Sequence, residues 1–284
     1  MQFSDSIFFG RNFLIATSHK KEEAIAPLIR EKFQANVMVP EGFNSDIFGT
    51  FSGEIERPDS PIEAARRKSK AVAEAFNASL VIASEGSFGP HPSLYIVPAD
   101  DEILLLTDYE NDLELAVREV STKTNFSGRE AKTLDEVKAF AQAIGFPNHK
   151  VILKKGHKDF SHIVKSIVGW DDLLLTSNMF LDSYGSLFIE TDMRAMNNPT
   201  RMSVIAQAAA KLAELMHSQC PRCKTPGFDV GSIVPGLPCD LCKLPTESTL
   251  KHVYICKKCK YHEDSYYPNK KSAEDPKFCE RCNP

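Results

Sequence analysis

The chain has 284 residues, of which 42% are hydrophobic and 25% charged, with a formal net charge of −4. This composition is typical of a globular protein and excludes a largely disordered chain, and the length predicts about two domains at ~150 residues each. The negative net charge gives no indication of nucleic-acid binding by the chain as a whole. No apolar run reaches the ~18 residues of a membrane span. Because the start lacks the features of a signal peptide, we expect a cytoplasmic protein without membrane contact.

Alternating strand and helix patterns fill the first three quarters of the chain. Short apolar runs predict buried strands at 13–17, 36–39, 79–84, 150–154 and 187–190. Two further segments, 102–107 and 113–120, are joined by a polar turn and predict a β-hairpin. This order predicts an α/β domain with a mixed sheet and helices packed on both of its faces.

Helix boundaries are marked by capping residues. Ser60 opens a capping box with proline at the first helical position, which predicts a helix to about Phe76. Thr133 opens a second capping box, and Gly145 is the expected stop of that helix. Pro27 lies inside the helical pattern after the first strand and predicts a kink or a late start there.

All eight cysteines follow residue 219, in four C-x-x-C pairs: Cys220/Cys223, Cys239/Cys242, Cys256/Cys259 and Cys279/Cys282. In a reducing compartment such pairs indicate metal ligands rather than disulfides. Fifteen residues separate the first two pairs and nineteen the last two, which fits two consecutive zinc motifs. We therefore predict two structural zinc ions, each held by consecutive pairs, and an interleaved arrangement joining the first pair to the last is the alternative. The predicted domains are an α/β domain at 1–217 and a double zinc-ribbon domain at 218–284.

Polar segments follow the first and third predicted strands, where open α/β sheets collect their ligand sites. The first, residues 18–21, has the sequence Ser-His-Lys-Lys and suits an anion such as phosphate, although a solvated helix cap is the simpler interpretation. The second, residues 84–92, places Glu85 among small residues, where it could hold a divalent metal or activate a water. A turn with an incidental glutamate is the alternative for this second segment.

A third polar segment, residues 190–201, precedes the last predicted helix, which opens at Asn198-Pro199. Asp192 could bind a metal, while Arg194 and Arg201 could bind phosphate. An internal Asp–Arg salt bridge that orders the loop is an equal alternative. His157 and His162 lie five residues apart, which does not suit one helical face, so we expect both on the surface.

The order of these motifs resembles the inosine triphosphate pyrophosphatase and Maf-like nucleotide pyrophosphatase superfamily. Residues 16–21 stand in place of its T-x-N phosphate loop, and 63–68 keep the Glu, Ala and Lys spacing of its E-N-A-x-x-K-A helix. Residues 83–89 resemble its acidic, small-residue loop, and 198–201 stand in place of its Ser-His-Arg turn. The resemblance covers residues 12–92 and 186–216 and implies a pyrophosphatase-like fold. The whole chain also looks like a bacterial family defined as a domain of unknown function, through residues 190–202 and the cysteine motifs.

The residues predict a metal-dependent nucleotide-processing enzyme, and the resemblance implies that it is similar to a nucleoside triphosphate pyrophosphohydrolase. Glu85 and Asp192 are the expected catalytic carboxylates, with Mg²⁺ as the expected catalytic ion. The expected phosphate ligands are His19, Lys20, Lys21, Lys68, Ser87, Arg194 and Arg201. Among these candidates, we expect His19, Lys68, Glu85 and Arg201 to converge on one cleft.

The alternative is a zinc-ribbon protein that binds nucleic acid or protein and carries an inactive α/β domain. Five lysines of the tail alternate with tyrosines, a pattern that suits backbone contacts and base stacking. These residues are Lys257, Lys258, Lys260, Lys270 and Lys271, with Tyr254, Tyr261, Tyr266 and Tyr267. From residue 217 onward 11 basic residues face 8 acidic ones, and the thiolates of two zinc centres bring this excess close to neutral.

Overall fold

A computed structural model describes residues 6–17, 19–43 and 60–284. The chain divides into two compact units, Met1–Leu212 and Ala213–Pro284, and the division lies inside the last long helix. In the described part of the chain, no helix combines the length and the apolar character needed to cross a bilayer.

The first sheet of the larger unit is mixed and has five strands. They are β1 (Asn12–Ala16), β2 (Asn36–Met38), β3 (Leu80–Pro90), β4 (Pro98–Asp108) and β5 (Leu113–Ser121), in the order β2-β1-β3-β4-β5. Strand β1 pairs in parallel with β2 and β3, and β4 and β5 continue the sheet antiparallel to their neighbours. The hairpin predicted for the fourth and fifth strands is confirmed.

Helices cover both faces of this sheet. Helix α1 (Glu22–Phe33) begins five residues before Pro27 and continues through it, so a late start is wrong. Helix α2 (Pro61–Phe76) begins where the capping box predicts and ends at the expected Phe76. Leu14 packs with Ala65 and other residues of α2. Phe13 points to the opposite face because side chains alternate along a strand, and it packs with Phe8, which contacts Phe33 of α1.

Strand β3 is longer than its apolar sequence pattern. Strand β1 ends at Ala16 opposite Ala83, whereas β3 continues to Pro90 in unbroken antiparallel register with β4. The interpretation of residues 84–92 as a polar loop or turn is therefore wrong for Ser84–Pro90. Pairing with β4 satisfies the backbone there, so these polar and small residues extend the sheet beyond the end of β1.

A second sheet replaces part of the single mixed sheet that we expected. Its strands are β6 (Gly128–Ala131), β7 (Val151–Gly156), β8 (Asp159–Val164) and β9 (Leu187–Thr191), all antiparallel in the order β6-β9-β7-β8. Helices α3 (Leu134–Ile144) and α4 (Trp170–Tyr184) share one buried apolar cluster with it. The strands at 151 and 187 pair with each other, so they do not join the first sheet.

Helix α5 (Pro199–His217) closes the larger unit and begins at the predicted position. The Asn198 side-chain oxygen accepts a hydrogen bond from the Arg201 backbone N–H at 3.0 Å, which caps the first turn. Val204, Ile205 and Ala208 of α5 are buried. This cap fixes the position of Arg201 in the first turn of the helix.

The smaller unit contains one antiparallel sheet. Its strands are β10 (Asp229–Pro235), β11 (Thr249–Ile255) and β12 (His262–Tyr266), with β11 in the centre. The four cysteine pairs lie in loops before, between and after these strands.

Candidate functional site

The eight cysteines form two groups of four. Within each group the sulfur atoms lie within 4.8 Å of one another. The first group is Cys220, Cys223, Cys256 and Cys259, and the second is Cys239, Cys242, Cys279 and Cys282. Four thiolates fit tetrahedral zinc, and a Cys₄ set leaves no open position for catalysis. Each group can therefore hold one structural zinc ion.

Three of the four cysteine loops share one backbone conformation. Lys224, Lys243 and Lys260 each follow the second cysteine of a pair and have φ angles of 61°, 62° and 60°. Each donates its backbone N–H to the carbonyl of the first cysteine, at 2.9–3.0 Å. This tight turn brings the two cysteines of a pair onto the same side of the loop.

The expected pairing of consecutive motifs is wrong. The first pair joins the third and the second joins the fourth, which also differs from the alternative of first with last. Strand pairing explains the first centre, because Asp229 at the start of β10 lies opposite Ile255 at the end of β11. An isolated bridge between Cys239 and Glu274 similarly brings the fourth pair beside the second.

A cluster of buried charged side chains lies at the end of β1 in the larger unit. Arg201 and Glu102 have no exposed side-chain surface, and Nε of Arg201 lies 2.6 Å from Oε1 of Glu102. Lys21 Nζ lies 3.5 Å from the other oxygen of Glu102. Lys68 of α2 pairs with Glu85 at 2.5 Å, and both charges are close enough to Lys21 to affect its pKa. The cluster therefore joins β3, β4, α2, α5 and the start of α1.

The absence of a side chain at Gly86 makes room for the buried pair of Arg201 and Glu102. Gly86 lies opposite Glu102 in the β3–β4 register, and a Cβ atom at Gly86 would overlap Oε1 of Glu102 and Nη2 of Arg201. The guanidinium carbon of Arg201 also lies 5.1 Å from the centre of the Phe88 ring, a cation–π distance. Glycine at position 86 is thus required by the close approach of the buried pair.

Burial and mutual charge shift the pKa values of three members of the cluster. Burial lowers the pKa of Lys21 to about 8, against the opposing effect of Glu102. Burial and the negative charge of Glu102 raise the pKa of Asp100 to about 8. Burial alone would raise the pKa of Glu102, but Arg201 and Lys21 hold it below its usual value. Near pH 7, Lys21 is consequently mostly charged and Asp100 mostly protonated.

Asp100 and Glu102 were not identified from the sequence as candidate site residues. They lie on β4 at alternate positions with Leu104 and Leu106, and all four side chains are buried. Among the described residues, neither side-chain oxygen of Asp100 accepts a hydrogen bond, and its acidic neighbour Glu102 can accept the proton that Asp100 holds. The two-residue period of β4 was the available signal, since it places two acidic residues on the apolar face.

Several predicted site residues do lie together. Lys68, Glu85 and Arg201, three of the four residues expected to converge, all lie close enough to Lys21 to affect its pKa. His19 is buried two residues before Lys21, and its backbone N–H donates to Oγ1 of Thr17 at 3.3 Å. Ser87 lies two residues after Glu85 on β3, whereas Ser18 lies outside the described residues.

Other predicted site residues belong elsewhere. Lys20 is 62% exposed and lies 3.6 Å from Glu23, away from the buried pairs. Both carboxylate oxygens of Asp192 accept hydrogen bonds within its own loop, from Arg194 and Asn197 at 2.6–3.1 Å. The loop-ordering salt bridge is therefore the observed arrangement for Asp192 and Arg194, and it occupies the groups that were expected to bind metal and phosphate.

Asp100→Asn should remove a pH-dependent loss of stability. The pKa of Asp100 is about 8 in the folded protein and about 4 in an unfolded chain, so its stabilising contribution is complete below pH 4 and is lost as the pH rises towards 8. We expect the unfolding free energy of the wild type, relative to the variant, to fall by about 3 kcal/mol between pH 5.5 and 8.

Urea unfolding of both proteins across this range measures the difference. Asp101→Asn is the control, because Asp101 lies next to Asp100 on β4 and forms a partly exposed pair with Arg118. If the unfolding free energies of the wild type and Asp100→Asn changed with pH in parallel, the raised pKa of Asp100 would be contradicted.

Comparison with known proteins gives one family. The sequence profile of a domain of unknown function, DUF6671, matches residues 68–284. The match includes both cysteine centres and, in the larger unit, Lys68, Glu85, Glu102 and Arg201. No curated protein matches the chain. Since the profile covers well over half of the sequence, the chain belongs to the DUF6671 family.

Proposed function

We propose that the larger unit binds the phosphate groups of a nucleoside triphosphate through Lys21, Lys68 and Arg201 and hydrolyses it. The observation that carries the proposal is the buried cluster of three cations with Glu85, Asp100 and Glu102, in which two pKa values are shifted to about 8. Such clusters are typical of functional sites, and this one lies at the carboxyl end of a parallel strand, where α/β sheets bind ligands. Its three basic side chains favour an anion.

The side chains that suit a divalent cation are Asp100, which would lose its proton on binding the ion, and Glu102, whose Oε2 accepts no hydrogen bond among the described residues. Mg²⁺ at nucleotide sites usually takes one or two carboxylates together with substrate phosphates. Neither side-chain oxygen of Asp100 accepts a hydrogen bond among the described residues, whereas Glu85 pairs with Lys68 and Asp192 is occupied within its loop. Mg²⁺ bound there would neutralise charge that develops on the phosphate oxygens.

The remaining side chains supply the other requirements of hydrolysis. A water oxygen attacks phosphorus, Glu85 accepts the water proton, and the bond to the pyrophosphate leaving group breaks. Lys21, Lys68 and Arg201 offset the negative charge of the transition state, which is the main demand of phosphoryl transfer. Because Lys21 and Lys68 already contact carboxylates, phosphate binding has to replace the partners of these two lysines.

Lys21→Met and Lys20→Met form a matched pair of variants that tests the binding step. We expect Lys21→Met to weaken nucleotide affinity by about tenfold or more, since it removes a buried charge-assisted contact, and Lys20→Met to leave it unchanged. Calorimetric titration with a panel of nucleoside triphosphates and Mg²⁺ measures the affinity. Equal effects of both substitutions would contradict a phosphate site at Lys21.

Glu85→Gln tests the chemical step. The variant should keep nucleotide affinity and lower the rate of pyrophosphate release by about 100-fold, the usual size of a lost general base. Circular dichroism provides the folding control. If no nucleoside triphosphate of the panel is bound or hydrolysed, the proposal is contradicted. The alternative of a zinc-ribbon protein that binds nucleic acid or protein and has an inactive α/β domain is then favoured.

A further inference from the structure

The first cysteine centre carries a concentrated positive charge. Its two loops contain five basic residues and no acidic one: Arg222, Lys224, Lys257, Lys258 and Lys260. All five are exposed. The structure describes every residue of the smaller unit, and within that unit none of these five side chains forms an ion pair. Even after the charge of −2 from four thiolates and Zn²⁺ and the −1 of Asp229, which begins β10 opposite Ile255, this surface keeps an excess of two positive charges.

The second cysteine centre of the same unit differs. Asp240 and Glu280 in its loops offset Lys243 and Arg281, and Lys243 lies 3.1 Å from Asp240. Leu241, exposed by 71%, also lies in one of these loops. The positive charge is therefore a property of the first centre and not of the whole unit.

Cysteine pairing creates this surface. Arg222 and Lys224 are separated from the three lysines by more than 30 residues, and the first centre joins their loops. Pairing of consecutive motifs would have placed the Arg222 loop beside Asp240 instead. Only the observed pairing collects five cations on one zinc centre.

We propose that the first cysteine centre binds the phosphate backbone of nucleic acid. Lysine and arginine contacts to phosphates supply most of the affinity of sequence-independent binding. A protein partner would require an apolar centre to its interface, and the exposed apolar residues Leu241, Leu244 and Phe278 lie near the cysteines of the second centre instead. The chemistry of the first centre thus favours a nucleic acid over a protein.

The contact is made to the backbone and not to stacked bases. Tyr254 and Tyr261, expected from the sequence to stack on bases, pack against Phe228 at ring distances of 5.7 and 5.9 Å. Tyr266 and Tyr267, expected to do the same, are exposed but lie at the other end of β12 from this centre, because His262 and not Tyr266 pairs with Ile255. Lys271, also expected to bind nucleic acid, lies 3.5 Å from Glu274. Binding should consequently show little dependence on base sequence.

Fluorescence anisotropy with a labelled 20-nucleotide single-stranded RNA and the zinc-loaded full chain tests this proposal. Five phosphate contacts predict a slope of about −3.5 for the logarithm of affinity against the logarithm of salt concentration. Lys257→Gln/Lys258→Gln should reduce the magnitude of the slope by about 1.4 and weaken binding roughly tenfold at low salt. Zinc content should stay at two ions per chain in the variant.

Lys243→Gln/Lys277→Gln is the matched control, since it removes two charges from the same unit at lysines that pair with Asp240 and Asp275. This control should keep the affinity and slope of the wild type. Absence of RNA binding at low salt, or equal losses in the two double variants, would overturn the proposal. Tighter binding of polyglutamate or of anionic vesicles than of RNA through Lys257 and Lys258 would also overturn it, in favour of an acidic protein or a membrane surface.

Discussion

Cys220→Ser combined with Cys256→Ser should remove one zinc ion per chain, whereas Cys220→Ser combined with Cys239→Ser should remove two. The first combination changes two ligands of the same centre, and the second changes one ligand of each. Structural zinc sites need all four ligands to reach their usual affinity, so loss of one thiolate is expected to empty a centre. Zinc measured by mass spectrometry under non-denaturing conditions reports the count for each variant.

The control is Cys239→Ser combined with Cys279→Ser, which should leave the first centre occupied. Pairing of consecutive motifs would give the opposite result: the Cys220/Cys256 variant would lose two zinc ions per chain, and the Cys220/Cys239 variant would lose one. Complete removal of zinc should unfold the smaller unit, because two of the three buried residues in its apolar cluster, Cys220 and Cys256, are themselves ligands.

Glu102→Gln should lower the unfolding free energy of the larger unit by about 3–5 kcal/mol. The substitution leaves Arg201, which has no exposed side-chain surface, and Lys21 without their shared carboxylate. An uncompensated buried charge accounts for this cost. Arg201→Met should be similarly destabilising, and urea unfolding measures both effects.

The double variant Arg201→Met/Glu102→Gln should cost clearly less than the sum of the single variants, because it removes both charges together. Arg118→Met/Asp101→Asn is the control on the same two-strand hairpin. Arg118 is 53% exposed, so the corresponding exposed pair should contribute less than about 1 kcal/mol. Additive effects at Arg201 and Glu102 would contradict direct coupling of the buried pair.

Local signals in the sequence determined the helix ends and the metal ligands. Ser60 accepts a hydrogen bond from the Glu63 backbone N–H, and Thr133 accepts one from that of Glu136, so both capping boxes open α2 and α3 where predicted. Gly145 ends α3 with a φ of 86°. These contacts join residues three or four positions apart, and their geometry is therefore contained in the residue spacing. The C-x-x-C spacing identified the eight cysteines as candidate metal ligands for the same reason, and the structure gathers them into two groups of four.

Tertiary structure alone decided which distant segments meet. The polar residues of β3 became a strand because β4 pairs with them, and the cysteine loops joined in alternation because β10 and β11 align Asp229 with Ile255. Arg201 and Glu102 are 99 positions apart, and no local pattern relates them. Backbone pairing and charge burial depend on three-dimensional proximity, whereas spacing along the chain records only contacts between near neighbours. The sequence by itself thus determined local elements and the types of ligand, while folding decided the zinc pairing and the composition of the charge cluster.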